Sequence, residues 1–427
     1  MKKKVIVRAP ALSFSGYGEH ARFILRALRT REDIFDIYLL NTNWGALSWI
    51  CRDTEERKWF DSLIIKTAKY MMEEKEFDMS IQVTIPGEWE RLAPVNIGCT
   101  AGTETTRISP KWIEKSNLID KLIVVSSHAK FAFDTTSYDV KNQKTGQVIK
   151  DFCCKSPVEV VNYPIRAIKP EEIDLKLDTK FNFLAAANWC ARKNLENTIR
   201  WFVEEFIDHK DVGLVLKIFI RNGSVIDREY SRRRVKDLIS QYKNRKCKVY
   251  LLHGDLTDEE MHGLYINPKI KALISLAHGE GYGLPIFEAA YSGMPVICPD
   301  WGGQVDFLYA PKKNKKGKPR NRSHFAKVEY DLRPVQKEAV WKDILIENST
   351  WCFPKQGSYK MKLREVKKDY SRFKTQAKEL KKWIYENFSE EKKYKEFISH
   401  IEEYIVPSAE EQEVDEMFNS MVEELQK

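Results

Sequence analysis

The sequence alternates short apolar runs with longer amphipathic runs, and it does so in two successive series. The first series opens with the apolar run 3–10, the amphipathic run 18–30 and a second apolar run at 36–40. The second series opens at 180–188 and continues through an amphipathic run to the apolar run 213–220. Strands that alternate with helices in this way form strand–helix–strand units on a parallel sheet. The pattern therefore predicts two α/β domains, which a chain of 427 residues is long enough to form.

A stretch with three prolines and no helical period separates the two series, at 151–178. We interpret it as the region of a linker between domains that face each other across a cleft. After residue 360 the pattern is almost wholly helical, which predicts a helical C-terminal tail. The predicted organisation is an N-terminal acceptor domain at 1–165, a linker at 166–178, a C-terminal donor domain at 179–385, and helices at 386–427 that cross back to the N-terminal domain.

Residues 311–322 carry seven basic side chains and no acidic ones, which indicates a solvated loop inserted in the second domain. The whole chain has 71 Lys and Arg against 62 Asp and Glu, a formal net charge of +9. This excess tolerates anionic partners such as nucleotides, nucleic acid or acidic membrane surfaces.

No apolar run approaches the length of about 20 residues that spans a bilayer, and the apolar run after the first lysines is too short for a signal peptide. The eight cysteines include no Cys-x-x-Cys pair, which is typical of reduced thiols. We therefore expect a cytoplasmic protein without a transmembrane segment. The sequence indicates no oligomeric state.

The stretch HGEGYGLPIFEAAYSGMPVICPDWGG, residues 278–303, carries the chemistry that is easiest to interpret. A predicted strand ends at 277 and a helix begins near Pro285, whose missing N–H suits a first helical turn. The start of such a helix attracts anions, and the glycines before it let the backbone approach a ligand closely. Glu280 in the turn and Glu288 in the helix are then spaced to bind the hydroxyls of a sugar and of a ribose, with phosphates between them.

The segment EGYGLPIFE resembles the Glu-x7-Glu signature of the family-four retaining glycosyltransferases, which have the GT-B fold, and the following residues AAYSGMPVICPDWGGQVDFL continue the resemblance. The resemblance implies two Rossmann-like α/β domains facing across a cleft. It also implies that Glu280 contacts the sugar of a nucleotide-sugar donor and that Glu288 contacts the ribose. Further donor-binding residues implied in this segment are Gly281, Tyr282, Gly283 and Leu284.

Other segments resemble the same family in the same order along the chain. Residues 185–202 resemble the strand–loop–helix that carries an Arg-Lys pair for the donor diphosphate, although Ala187 and Asn188 replace its usual Gly-Arg. Residues 13–23 and 98–133 resemble the glycine loop and a further segment that face the donor, and 251–265 resembles the stretch around the base pocket. The catalytic candidates implied are Glu280, Arg192, Lys193 and His128. The donor-binding residues implied in these segments are Gly16, Gly18, Arg192 and Lys193. The acceptor candidates are Tyr17, His20 and Glu104.

Metal-dependent sugar transferases of the other major fold rely on an Asp-x-Asp pair, and this sequence contains none. We therefore expect no metal and no cofactor, with Arg192, Lys193 and the helix start neutralising the diphosphate instead. UDP is the expected nucleotide. The sugar itself has no signature in the sequence.

The identity of the acceptor is the property for which the sequence carries the least evidence. Residues 79–133 resemble transferases encoded by tailed phages, some of which glycosylate hydroxymethylated pyrimidines in DNA. Together with the basic segment 311–322, this suggests modified phage DNA as the acceptor and the host cytoplasm as the location. A polysaccharide, a lipid-linked glycan or a protein are alternative acceptors.

Two alternative functions are compatible with parts of the sequence. A dehydrogenase-like dinucleotide fold is suggested by GYGEHA at 16–21, but that fold needs an acidic residue at the end of the second strand, where this chain has Asn41. A noncatalytic nucleic-acid-binding or sugar-binding protein on the same fold is the alternative of a different class. The joint presence of Glu280, Glu288, Arg192 and Lys193 favours the enzyme.

Overall fold

The computed structural model describes residues 2–141, 146–313 and 318–404. The helices are α1 (Gly16–Arg29), α2 (Glu55–Met72), α3 (Pro110–Ser116), α4 (Ser127–Thr135), α5 (Leu195–Glu205), α6 (Val225–Ile239), α7 (Asp258–Ile266), α8 (Leu284–Tyr291), α9 (Val305–Leu308), α10 (Gln356–Lys368), α11 (Tyr370–Asn387) and α12 (Glu390–Glu402). The strands are β1 (Lys3–Ala9), β2 (Phe35–Asn41), β3 (Met79–Val83), β4 (Val95–Thr100), β5 (Lys121–Val124), β6 (Ser137–Lys141), β7 (Val148–Cys153), β8 (Val158–Val160), β9 (Phe181–Asn188), β10 (Val212–Phe219), β11 (Lys248–Leu252), β12 (Ile270–Ile274), β13 (Val296–Pro299), β14 (Tyr309–Lys313), β15 (Pro319–Ser323), β16 (Ala326–Val328), β17 (Tyr330–Pro334) and β18 (Thr350–Pro354).

The first domain is built on a six-stranded parallel sheet in the order β2-β1-β3-β4-β5-β8. Helices cover both faces of this sheet, as parallel sheets require. Val5 and Ile6 of β1, which point to opposite faces, are accordingly both buried, whereas β3 and β4 also bury polar residues such as Gln82 and Asn96. The strand order reverses between β1 and β3, so the loops that follow these two strands diverge and leave a crevice at the carboxyl edge of the sheet.

The second domain repeats this plan with the order β11-β10-β9-β12-β13-β16, also all parallel. The order reverses between β9 and β12, which makes the loops after these strands the expected ligand-binding position. Both sheets thus confirm the predicted α/β architecture of two Rossmann-like domains.

The C-terminal helices pack against both domains. Helix α11 lies on α8 of the second domain, and α12 lies on α1 of the first. Phe23 of α1 packs edge-on against the fully buried Phe397 of α12, with ring centroids 6.0 Å apart. Burying a phenylalanine side chain contributes roughly 2 kcal/mol, so such contacts dock the last described helix on the first domain. Residues 405–427, the rest of the tail predicted at 386–427, lie outside the described residues.

The structure corrects two predicted irregular segments. The stretch 151–178 is not wholly linker, since β7 ends in it and β8 within it is the sixth strand of the first sheet. The basic segment 311–322 is not a plain loop, because β14 and β15 pair there as an antiparallel hairpin. Strands of three to six residues with charged side chains have too few apolar positions to show a period in the sequence.

No helix within the described ranges is long and apolar enough to cross a membrane.

Candidate active site

A cavity of about 1080 Å³ lies between the carboxyl edges of the two sheets. The first domain lines it with the loop after β1 and the loop 101–104 after β4. The second domain lines it with 190–193, after β9, and with 280–285, after β12. These last two loops follow the pair of strands at which the sheet order reverses, so the cavity occupies the position at which doubly wound sheets bind ligands.

The side chain of Glu280 is held by two cations at the centre of this cleft. Lys193 Nζ lies 2.6 and 2.8 Å from the two carboxylate oxygens of Glu280, and Arg192 Nη1 donates to one of them at 2.9 Å. Arg192 also reaches Glu104 of the first domain, with 3.4 Å between Nε and Oε1. The four side chains form a charge cluster that joins the two domains, and the sequence predicted each of them as a site residue.

Burial shapes the charges of this cluster. Glu280 is only 6% exposed, and burial alone would raise the pKa of its carboxyl. The neighbouring Lys193 and Arg192 outweigh that effect and hold the pKa of Glu280 below its ordinary value. Burial, and then the nearby charge of Arg192, lowers the pKa of Lys193. The cluster is therefore a carboxylate bound by two donors in a site poor in water, and these are the groups that also bind phosphate oxygens.

The glycines around Glu280 also allow close packing between the two domains, a role that was not predicted. A Cβ atom on Gly279 would lie 1.9 Å from the carbonyl oxygen of Glu104, and one on Gly281 would lie 2.2 Å from that of Ala101. Both glycines thus let the turn of the second domain pack directly on the backbone of the first. Gly283, with φ of +91°, adopts the left-handed conformation at the start of α8.

The second acidic residue of the motif, Glu288, lies in α8 at another part of the same cleft. Tyr265 of α7 donates a hydrogen bond of 2.8 Å to its Oε2. Burial raises the pKa of Glu288 to about 8, and the hydrogen bond from Tyr265 offsets only part of this shift. With this pKa, Glu288 is largely protonated at neutral pH.

The glycine loop after β1 places two predicted residues in the cleft. Ser15 caps α1 by accepting a hydrogen bond from the Gly18 N–H at 2.9 Å, which fixes the start of the helix. Gly16 and Tyr17, which follow, line the cavity. Tyr17 packs against Trp44 and its hydroxyl lies 2.7 Å from Thr100 Oγ1, so the ring is held in place.

Other predicted residues do not line the cleft. Gly18 packs beneath the loop, where a Cβ would meet the Ser13 carbonyl oxygen at 2.0 Å. His20 is 1% exposed beside Phe23, and burial lowers its pKa to about 3. His128 packs edge-on against Trp301 in the domain interface, and burial lowers its pKa to about 4.

Tyr282 lines the cleft only in part. Its side chain is 3% exposed and packs against Tyr163 and Phe307, which leaves the backbone as the part that can meet a ligand. Leu284, by contrast, is partly exposed at the start of α8 and lines the cavity as predicted.

Several residues that line the cleft were not predicted from the sequence. Lys217 lies in β10, and its Nζ donates to the Gly254 carbonyl at 2.6 Å beside the predicted base pocket. A lysine in an otherwise apolar strand was a usable signal for it. Arg166 and Trp341 also line the cleft, and neither stands in a motif that distinguishes it.

No protein-family model and no curated protein sequence matches this chain. Solved structures match its fold along almost the whole length. Sucrose-phosphate synthase from Thermosynechococcus elongatus superposes with a TM-score of 0.63 at 11% identity, covering 95% of this chain and 100% of that one. HepE of Anabaena in complex with UDP-glucose gives a TM-score of 0.57 at 11% identity, with 93% and 99% covered. A glycosyltransferase from Rickettsia africae gives 0.54 at 13% identity, with 95% and 100% covered.

These structures share an architecture with the chain and too little sequence to transfer an activity. They confirm the predicted fold class, the two Rossmann-like domains of the GT-B fold.

Proposed function

We propose that the protein is a glycosyltransferase that moves a sugar from a nucleotide-sugar donor to an acceptor hydroxyl. The observation that carries the proposal is the charge cluster at the reversal point of the second sheet, where Arg192 and Lys193 converge on Glu280. Two buried cations beside a carboxylate, at the carboxyl edge of a doubly wound sheet, suit a ligand with a diphosphate and a hydroxyl-bearing group next to it.

The diphosphate of the donor takes the place of Glu280 as the partner of the two cations. Arg192 and Lys193 then neutralise the charge that develops on the diphosphate as its bond to the sugar breaks, without reorganising during the reaction. The carboxylate of Glu280, released in part from the cations, accepts hydrogen bonds from the sugar hydroxyls and orients the anomeric carbon.

Glu288 binds the other end of the donor. Its carboxyl lies on α8, one helix turn after the start that follows the Glu280 turn, and Tyr265 fixes its orientation. A pair of ribose hydroxyls donating to this carboxyl would stabilise its ionised form and lower the pKa that burial has raised.

We infer transfer with retention and without a metal. The bond between the anomeric carbon and the diphosphate oxygen breaks, the acceptor oxygen forms its bond on the same face, and the departing phosphate oxygen takes the acceptor's proton. The family resemblance supports this course, and it leaves no separate general base to be found. His128, which burial keeps neutral away from the cleft lining, is not needed for it.

UDP is the nucleotide to test first. HepE of Anabaena, a match in fold, was solved with UDP-glucose. Residues 251–265, which resemble the stretch around the base pocket, contribute Asp255, Leu256 and Met261 to the cleft lining.

Hydroxymethylated pyrimidine in DNA remains the acceptor that the sequence predicts. The basic hairpin supports it only as a distant contact, because the described residues of 309–323 do not line the cleft. Lys312 of the hairpin is in addition paired with Glu379.

The experiment that tests the proposed function is nucleotide release from UDP-, GDP- and ADP-sugars in EDTA, with and without DNA that contains hydroxymethylcytosine. Release in EDTA would support metal-independent transfer, and stimulation by the DNA would identify the acceptor. Absence of release from every donor, with every acceptor offered, would favour the noncatalytic binding protein instead.

A further inference from the structure

A segment of the second domain reaches across the cleft to the first domain. Residues 335–349 connect β17 to β18, and we call this segment the strap. Its ends are closed by a hydrogen bond of 3.1 Å from the Val335 N–H to the Ser349 carbonyl. Near its start, a short turn at 337–339 contacts the turn that carries Arg192 and Lys193.

The strap is fixed to the first domain by several contacts. Ser109 Oγ donates to the carbonyl of Asp343 at 2.8 Å, and Ile344 packs on the hydrophobic cluster of the first domain. Just beyond the strap, the backbone of Thr106 donates to Thr350 at 3.0 Å. The strap is therefore part of the wall of the cleft and is held from both sides.

Trp341 lies in the middle of the strap and lines the cavity. Two backbone hydrogen bonds of 2.9 and 2.8 Å between Trp341 and Leu345 close a tight turn beneath it. Its side chain is 63% exposed, yet it lines the cavity, and no aromatic ring of the described residues stacks on it. A large apolar ring that is held rigidly and left in solvent at the mouth of a cleft marks a surface that binds something.

The cavity that Trp341 lines has acidic as well as apolar residues in its lining. Ile85 and Trp112 line it from the first domain, where Trp112 lies close to the turn that carries Glu88. Glu88 and Glu104 line it from the first domain and Glu338 from the strap, and Glu104 is also paired with Arg192. This combination is suited to a neutral ligand that has an apolar face and many hydroxyl groups.

We propose that Trp341 and the carboxylates around it bind a pyranose ring of a saccharide acceptor. The C–H groups on one face of a pyranose are apolar and slightly positive, so they pack on the negative face of an indole ring. The ring hydroxyls donate hydrogen bonds to carboxylates such as Glu88 and Glu104. This inference rests on the proposed function, and it names the class of acceptor for that same site.

A phosphate-bearing acceptor fits this surface less well. A nucleobase would also stack on Trp341, but its phosphates would then enter a cavity that is also lined by Glu88, Glu104 and Glu338. Like charges that are brought together in a partly desolvated cleft repel each other. Modified DNA is therefore the competing outcome of the test.

The experiment measures UDP release from the UDP-sugar that the wild-type protein hydrolyses, with methyl α- and β-glycosides of glucose, galactose, mannose and N-acetylglucosamine as acceptor probes. At least one glycoside should accelerate release. Trp341→Ala should raise the KM for that glycoside roughly tenfold, through the lost stacking, with the KM for the UDP-sugar unchanged. Trp341→Phe should keep most of the effect. Trp49→Ala removes another exposed tryptophan, 43% exposed and outside the cleft lining, and should behave as wild type.

A second readout does not depend on turnover. In protein labelled with 5-fluorotryptophan, the fluorine resonance that Trp341→Phe removes should shift when the glycoside is added. An equal KM in wild type and Trp341→Ala, an unmoved resonance, or stimulation by hydroxymethylcytosine DNA alone would overturn the inference. These results would leave the proposed function intact, since they presuppose hydrolysis of the donor. Wild-type protein that neither binds UDP nor hydrolyses a donor would refute the proposed function, and the inference with it.

Discussion

Replacing Glu280 by glutamine removes one charge from the charge cluster and keeps the shape of the side chain. Glu280 is 6% exposed and is the carboxylate that pairs with Lys193. Arg192 retains its contact with Glu104 at 3.4 Å, but Lys193 keeps no ion pair with a carboxylate among the described residues. The substitution therefore leaves a buried cation without its counter-charge.

The expected cost follows from this geometry. Removing one partner of a buried ion pair costs about 3–5 kcal/mol, and the lower end applies here because the amide oxygen of glutamine still accepts a hydrogen bond. We expect Glu280→Gln to lose about 3 kcal/mol in the free energy of unfolding. For a domain of this size that corresponds to a decrease of roughly 6–12 °C in Tm.

UDP should reverse much of this loss. The diphosphate supplies negative charge to Arg192 and Lys193, and in the variant it no longer competes with the Glu280 carboxylate for them. The rise in Tm on adding UDP should therefore be larger for Glu280→Gln than for wild type. Nucleotide release in the presence of acceptor should nevertheless fall about 100-fold, because a preorganised group that orients the sugar is lost.

The assay is thermal and urea unfolding with and without UDP, followed by UDP release from a UDP-sugar. Glu229→Gln is the matched control, because Glu229 is an exposed partner of Arg232 and such pairs contribute less than about 1 kcal/mol. The reasoning would be refuted if Glu280→Gln unfolded at the same urea concentration as wild type, showed the same shift with UDP and released UDP at the same rate.

Two further predictions concern the second acidic residue and the domain contact. Burial raises the pKa of Glu288 to about 8, so between about pH 4.5 and 8 the folded protein keeps a proton that the unfolded chain has lost. Wild type should lose stability relative to Glu288→Gln as pH rises through this window, and urea titrations at pH 5, 6.5 and 8 that give a constant difference would contradict it. Gly281→Ala places a Cβ 2.2 Å from the Ala101 carbonyl oxygen, so it should hold the domains apart and reduce turnover at least about tenfold. Small-angle scattering should show a larger radius of gyration than for Gly357→Ala, where the added Cβ meets no atom within 4 Å.

The two-domain fold was predictable because strands such as β1 and β10 are apolar runs and helices such as α1 and α5 have an amphipathic period. Glu280 and Arg192 were predicted as residues of one site from the resemblance, and their proximity has a simple reason: both follow strands of one parallel sheet, and the carboxyl ends of such strands meet at one edge. The packing roles of Gly279 and Gly281 were not predictable. A glycine's close neighbour is a property of the folded chain, and here it is the backbone of the other domain.

His20 was predicted as an acceptor candidate because it is a histidine in the glycine-loop segment, but its position in the helix pointed to burial. Phe23, Ile24 and Ala27 follow it at spacings of three, four and seven, so the helical period already placed His20 on the buried face of α1. The strap, by contrast, has no period and no motif. Trp341 lines the cleft because its segment is held there by contacts such as those of Asp343 with Ser109 and of Thr350 with Thr106, more than 200 residues apart in the chain.

The central claim is that Arg192 and Lys193 bind a diphosphate, and calorimetric titration of UDP and of uridine in EDTA tests it most directly. Charge-assisted hydrogen bonds contribute about 1.5–3 kcal/mol each, so UDP should bind wild type at least about 100-fold more tightly than uridine. Lys193→Ala should reduce that ratio by about tenfold or more and leave the affinity for uridine unchanged, whereas Lys312→Ala, outside the cleft, should change neither. Equal affinities for UDP and uridine, or a ratio that Lys193→Ala leaves intact, would contradict the account.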